Sequence, residues 1–274
     1  MSIWRFAAFR PIPQVARSGA SVELQGSNRG SYPHFVATHS PPPSPEGTNR
    51  AGFEAVWINE SAAQFHHREF AGAHRAVWIP DLSTETTLVL GSRQDAATAD
   101  PEAMRANNTS LTIRRSGGGA VLVSQLDLTW FDILISAEDP LWTNDVTASF
   151  GFVARAVQSG LSQIGIDGLV QHDGPLIRTD WSDLVCFAGL GPGELTQAGR
   201  KLVGISQRRT RNTARFQIAV LKQWRPKELL GLIALEPSQR SAAQAAIESS
   251  AVGIEHDSVQ LIDGVIKALD AGIT

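Results

Sequence analysis

The chain has 274 residues, 42% of them hydrophobic, and a formal net charge of −3, enough apolar material for one sizeable core and a small appended lobe. That charge speaks against a general nucleic-acid or membrane-surface protein, for which a strongly basic balance is expected, and no apolar run approaches the roughly 18 residues of a transmembrane helix. The single cysteine, Cys186, excludes an intrachain disulfide and a cysteine-rich zinc module and fits a reducing compartment.

Residues 1–52 hold seven of the fourteen prolines, with the run PPPSPEGTNR and no sustained helix or strand period, so this extension is expected to be disordered. Arg5, Arg10 and Arg17 precede the first acid, Glu23, which faintly resembles an organelle transit peptide. A cytoplasmic location is expected, or an organelle matrix if the extension acts in that way. A single catalytic domain is expected over residues 53–274, ending in a helical tail over 225–274.

From Phe53 the stretch EAVWINESAAQFHHREF predicts a helix with Val56, Ala63 and Phe65 on one face. RAVWI and TTLVLGS have the β-branched and aromatic content of strands, and DPEAMRANN has helix formers behind a proline. SLTIRR, GGGAVLV and DLTWFDILI follow as three consecutive strands, with the glycines as the turn between the first two. A long helix is predicted in TNDVTASFGFVARAVQSGLSQIG, where Val146, Phe150, Val153, Val157 and Leu161 recur at helical spacing behind a Thr or Asn cap. DLVCFAG, KLVGISQRR and RFQIAVL read as strands, the last with Phe216, Ile218 and Val220 on one side of a half-buried ribbon. PKELLGLIAL, SQRSAAQAAIESS and DSVQLIDGVIKALDAG read as helices. Grouped strands without regular strand-helix alternation predict an α+β fold, a mixed and largely antiparallel sheet covered by helices.

Three features could carry chemistry. Gly117, Gly118 and Gly119 in RRSGGGAV let a backbone approach a ligand closely and expose amides to an anion; neither a P-loop nor a GxGxxG fingerprint surrounds them, and a tight hairpin turn is the plain alternative. Nine cations and no acid lie between Leu195 and Lys227, most of them expected on a solvated hairpin face. Lys201 stands apart, because the chain has four lysines against twenty arginines and none precedes it; on an apolar strand it could present a compact charge to a carboxylate or phosphate. Cys186 is either an inert buried residue or a nucleophile, which needs a partner to activate it. His66, His67 and His172 cannot be assigned as a base, and no metal site is expected because no histidine pair joins a third ligand.

RRSGGGAV together with GRKLVGISQRR resembles the catalytic domain of the lipoate-protein ligase and octanoyltransferase family, of the biotin/lipoate-protein ligase fold type. NESAAQF and TLVLGSRQD extend the resemblance weakly over about residues 53–235. It implies that Arg115, Ser116, Gly117, Gly118, Gly119 and Ala120 lie against the acyl chain and its activated carboxyl. It further implies that Lys201 binds the carbonyl or acyl-phosphate oxygens, with Gly204 on the same strand. The implied reaction attaches a lipoyl or octanoyl group to a lysine on the lipoyl domain of a 2-oxoacid dehydrogenase or on a glycine-cleavage carrier, with an acyl carrier protein as a further partner and neither nucleic acid nor membrane involved.

The loop favours the ATP-dependent ligase branch, which uses ATP and magnesium. Cys186, fifteen residues before Lys201, matches the cysteine-dependent transferase branch, which needs no cofactor. Two positions depart from the family: Gln217 stands near a histidine position, and Thr129 where asparagine is frequent. The alternatives are thus a ligase, a Cys186 transferase, and a non-catalytic protein that binds lipoate or a carrier domain.

Overall fold

A computed structural model of the chain describes residues 52–70, 75–82 and 85–272. The expectations for the proline-rich extension before Gly52 lie outside the described residues.

The helix expected over EAVWINESAAQFHHREF divides in two. EAVWI forms strand β1 (Glu54–Ile58), parallel to β2 (Ala76–Pro80), as its Val-Trp-Ile content favours. Helix α1 is confined to Ala62–His67, because Ser61 and Gln64 form a capping box, each side chain bonded to the other's backbone amide. Strand β3 (Thr86–Leu90) follows, then α2 (Pro101–Ala106), with proline in its first turn and the Asp100 carboxylate accepting from the amides of Glu102 and Ala103.

The next three strands are β4 (Thr109–Ile113), β5 (Val121–Val123) and β6 (Leu128–Ser136), but the expected glycine hairpin between the first two does not form. Both flank β3, β4 in parallel and β5 antiparallel, in a separate three-stranded sheet. The glycines therefore carry the chain across the end of β3, where a Cβ on Gly91 would lie 1.7 Å from the Gly118 carbonyl oxygen. Two backbones meet there that no side chain could separate.

Helix α3 (Phe150–Gln163) starts later than its periodicity suggests. Val146 stays outside, in a turn where Asp145 accepts from the amides of Thr147 and Ala148. After β7 (Leu169–Gln171), the segment DLVCFAG forms a single 3-10 turn at Cys186–Ala188 rather than a strand. The remaining elements are β8 (Leu195–Gln197), β9 (Arg200–Arg209), β10 (Thr213–Leu221), α4 (Pro226–Gly231), α5 (Pro237–Ile247) and α6 (Ser258–Asp270). The larger sheet has the order β1-β2-β6-β10-β9-β8-β7 and is antiparallel except at β1-β2, an α+β architecture as expected.

Strand β10 is buried on both faces, not one. On the first, Phe216 meets Phe150 and Phe152 of α3 edge to face. Helix α6 packs on α3 so closely that a Cβ on Gly264 would lie 3.0 Å from the Gly160 Cα. On the second, register places Gln217 between Asp132 and Ser206, and Ala219 between Trp130 and Gly204. This face looks into a cleft whose other wall includes Val89, Val121 and Val123 of the small sheet.

Candidate active site

The glycine loop and the cysteine turn are laced together. The amide of Ala120 donates to the Leu184 carbonyl at 2.8 Å, and that of Cys186 donates to the Ala120 carbonyl at 3.0 Å. A Cβ on Gly119 would lie 2.5 Å from the Val185 nitrogen, so the protein's own chain occupies that space. Gly118, at φ +103, turns its open side toward the thiol: a Cβ there would lie 3.4 Å from Cys186 Sγ and 2.7 Å from Arg114 Nη2. A Cβ on Gly117 would meet nothing within 4 Å.

Arg114, which sequence reasoning passed over for Arg115, is the arginine of the site. It is buried and lines the cleft; its Nη2 donates to the carbonyls of Gly117 and Gly119 at 2.8 and 2.9 Å and lies 3.9 Å from Cys186 Sγ. It makes no ion pair with a carboxylate among the described residues. Arg115 points outward and pairs with Glu69, which Arg208 also contacts. These two guanidinium hydrogen bonds hold the Glu69 carboxyl below its ordinary range. One residue of parity at the end of β4 separates the two arginines' environments.

Lys201 is buried beneath the cysteine turn rather than presented to the cleft. Its ammonium pairs with Glu194 at 2.7 Å and donates to the carbonyls of Cys186 and Gly189 at 3.0 and 3.1 Å. Glu194, which sequence reasoning missed, also accepts from the amides of Gly191 and Ile205. Three donors thus meet three acceptors, and the lysine fixes the backbone that carries the thiol. Gly204 lies on the cleft floor, where a Cβ would stand 3.1 Å from the Phe187 ring.

The cleft, counted together with the solvent space at its mouth, spans about 480 Å³. Its apolar part is lined by Val121, Val123, Leu128, Trp130, Phe187 and Ala219, and its polar end by Arg114, Cys186, His66, Ser206 and Gln217. Ser116, although outside the lining, joins this end: Ser206 donates to Ser116 at 3.1 Å, Ser116 to Gln217 Oε1 at 2.7 Å, and Gln217 Nε2 to His66 Nδ1 at 3.0 Å. Burial, and then the charges of Arg114, Arg215 and His67, push the His66 pKa well below its ordinary value. The HH pair was visible in the sequence, but only the capping box at Ser61 fixes which of the two histidines turns inward.

Helix α1 is held to the sheet by Arg215, expected on a solvated face and instead buried. It donates to the Phe65 and Arg68 carbonyls and pairs with Asp132, which also accepts from Trp130 Nε1. Burial raises the Asp132 pKa against the opposing pull of Arg215. Thr129 lies on the helix-covered face, bonded to His256 and Ser258, so its departure from the family pattern does not touch the cleft.

An α+β domain that closes an apolar cleft around a thiol and an unneutralised arginine is a framework for handling acyl groups. The chain belongs to the lipoyl protein ligase A/B catalytic domain family, whose model matches residues 67–262. It is 21% identical over 252 residues to an octanoyltransferase LipM of Exiguobacterium sp., covering 89% of this chain and 86% of that one. It is 26% identical over 165 residues to an octanoyltransferase LipM of Clostridioides difficile, covering 60% of each. Among solved structures, a bipartite lipoate protein ligase from Thermoplasma acidophilum, studied with its E2 lipoyl domain, shares the fold with a TM-score of 0.61 at 15% identity, over 82% of this chain and 84% of that one.

Proposed function

We propose that the chain transfers an octanoyl or lipoyl group to a lysine of a lipoyl carrier domain through a thioester on Cys186. The observation that carries this reading is the thiol itself: it lines an apolar cleft, 3.9 Å from a buried guanidinium that no carboxylate neutralises among the described residues. In the first step the Cys186 sulfur attacks the carbonyl of a donor thioester; the new carbon–sulfur bond forms, the old one breaks, and the donor thiol leaves with the proton. In the second, the acceptor's amine attacks the acyl carbon, the carbon–nitrogen bond forms, and Cys186 leaves as a thiolate that takes up the amine's proton. Arg114 accompanies the negative charge on sulfur, and Lys201 with Glu194 holds the turn in place. The relatives named as octanoyltransferases support this order of preference.

The ATP-dependent route, favoured by the loop sequence, falls to second place. The cation assigned to the acyl phosphate, Lys201, has its protons directed at Glu194 and two carbonyls and does not line the cleft. Clamped in this way by Glu194 and two carbonyls, Lys201 does not fit the phosphates of magnesium-ATP.

Intact-mass measurement tests the reading. Incubation with octanoyl carrier protein is expected to add one octanoyl group, lost in Cys186→Ala. Modification of a lipoyl domain that requires lipoate plus ATP and survives Cys186→Ala would overturn it in favour of the ligase, and no modification with either donor would favour a binding protein.

A further inference from the structure

We propose that His66 is an uncharged hydrogen-bond donor to the carbonyl oxygen of the acyl group carried on Cys186. The inference rests on the thioester reading above and names a residue that touches the reacting carbonyl.

The direction of the polar relay fixes the ring's proton. Both serine hydroxyls face Gln217 Oε1, Ser116 at 2.7 Å and Ser206 at 3.5 Å, so the amide turns its NH2 toward His66. An amide nitrogen only donates, and His66 Nδ1 must accept at 3.0 Å. A neutral imidazole with Nδ1 as acceptor carries its proton on Nε2. Nε2 has no hydrogen-bond partner among the described residues, and the ring lines the cleft. Burial, and then the charges of Arg114 and Arg215, oppose a second proton, which leaves the ring neutral and its N–H available.

The support behind the ring is built in layers. Its plane lies against Trp130, centroids 4.3 Å apart. Trp130 is held by Asp132, Asp132 by Arg215, and Arg215 by the carbonyls that end α1. A ring fixed on one edge by a relay and on its face by an indole is preorganised to donate in one direction. Its neutral form excludes the usual role of imidazolium as a strong acid, and the occupied Nδ1 excludes a base at that nitrogen.

The identity of the acceptor follows from the substrate's chemistry. An octanoyl group has one polar function, its carbonyl. When the chain displaces water from the cleft, a buried N–H loses its partner unless that carbonyl replaces it. The geometry agrees in sense: Gln217 and Ser206 form one row of the floor, and Ala219 with Gly204 the next, roughly 7 Å further along the strands. The acyl head at Cys186 would lie by the polar row and its tail over the small residues toward Leu128. As sulfur or amine attacks, negative charge gathers on the carbonyl oxygen, and the fixed N–H stabilises it without proton transfer. Gln217 is then a positioning residue, acting through the ring.

The test uses the full chain acylated from octanoyl carrier protein labelled with carbon-13 at the carbonyl, read by isotope-edited infrared spectroscopy. The thioester carbonyl stretch is expected at lower frequency in the wild type than in His66→Phe, which keeps a ring against Trp130 and removes the donor. Gln217→Leu, which frees the tautomer, should shift it part of the way. Transfer to the carrier lysine should slow about a hundredfold in His66→Phe, in kcat and with KM for the carrier unchanged. An adduct whose stretch is the same in all three proteins overturns the His66 assignment and leaves the thioester reading standing. No adduct on wild-type Cys186 overturns the thioester reading and the carbonyl contact with it. Should His66→Phe fail to fold, the Gln217→Leu spectrum and the nitrogen-15 shifts of wild-type His66 decide, with a protonated Nδ1 counting against the proposal.

Discussion

Two buried histidines lie on opposite faces of the central strands, and they differ in what the protein leaves open. On the helix-covered face, His256 Nδ1 donates to the Ile254 carbonyl at 2.7 Å, so Nε2 accepts from the Thr129 hydroxyl at 2.9 Å, whose oxygen in turn accepts from Ser258 at 2.7 Å. Both ring nitrogens are closed by protein groups, and the ring ties β6 to the start of α6. On the cleft face, His66 has one nitrogen taken by Gln217 and the other without a partner among the described residues, on a ring that lines the cavity. Burial lowers the pKa of both rings as its first cause. Burial alone therefore does not mark a functional histidine; the unused nitrogen does.

The largest effect should come from the support of the cleft face. In Asp132→Ala the buried Arg215 loses its carboxylate, and breaking a buried pair in this way is expected to lower unfolding stability by about 3–5 kcal/mol, measured by urea denaturation. Because Arg215 also ends α1, the surviving folded protein should transfer acyl groups poorly. A loss of stability too small to measure would mean that the clamp on α1 lies elsewhere.

The helix face should respond with stability alone. Thr129→Val keeps the shape and removes the hydroxyl between His256 and Ser258, at an expected cost of about 1–3 kcal/mol, while kcat for acyl transfer holds. A fall in kcat with stability retained would show that the two faces communicate, and would undo the contrast between the histidines.

How far the sequence discloses this arrangement depends on the range of the information. Strands β2, β3, β9 and β10 and helices α2, α5 and α6 were legible because periodicity, capping and β-branched content are local. Strand β1 was not, since its apolar residues also fit a helix face until Ser61 is recognised as a cap. The pairing of β4 and β5 with β3 instead of with each other is long-range, and nothing in SLTIRR-SGGG-AVLV states it. At the site, Cys186, the glycines and Gly204 could be named from their pattern. Arg115 was chosen over Arg114 from the motif, because which of them turns inward depends on where β4 ends. Lys201 could be picked out but not oriented, and Gln217 meets its histidine across 151 positions of chain.

A smaller effect should appear with pH, and its sign is set by both rings together. His66 and His256 have folded pKa values below the ordinary 6.5, so under mild acid the unfolded chain binds protons that the folded one refuses. Their stability contribution is therefore complete above pH 6.5 and declines as pH falls below it, by at most about 1.4 kcal/mol per pH unit for each ring. Asp132, with its folded pKa raised above 3.8, acts in the opposite sense, gaining stability as the solution is acidified toward that value. Denaturation series between pH 7.5 and 5.5 should show the decline, and replacing either histidine should flatten it. Equal slopes in the wild type and both variants would place the titration in other groups.

The smallest effect belongs to one of the loop residues that the family resemblance placed against the acyl chain. Arg115 meets Glu69 at an exposed site where solvent screens the pair, and Arg208 remains 3.3 Å from the same carboxylate when Arg115 is removed. Arg115→Ala should leave the melting temperature and the rate of acyl loading on Cys186 unchanged within error, at low and at high salt. Arg114, one position earlier, lies in the opposite environment: buried, bonded to two loop carbonyls, and beside the sulfur. A tenfold loss of loading in Arg115→Ala would return the arginine's role to the outward-facing position, and would mean that the loop rearranges when the donor binds. Unchanged loading leaves Arg114 as the arginine at the thiol, and the charge on sulfur with a guanidinium that no acid neutralises among the described residues.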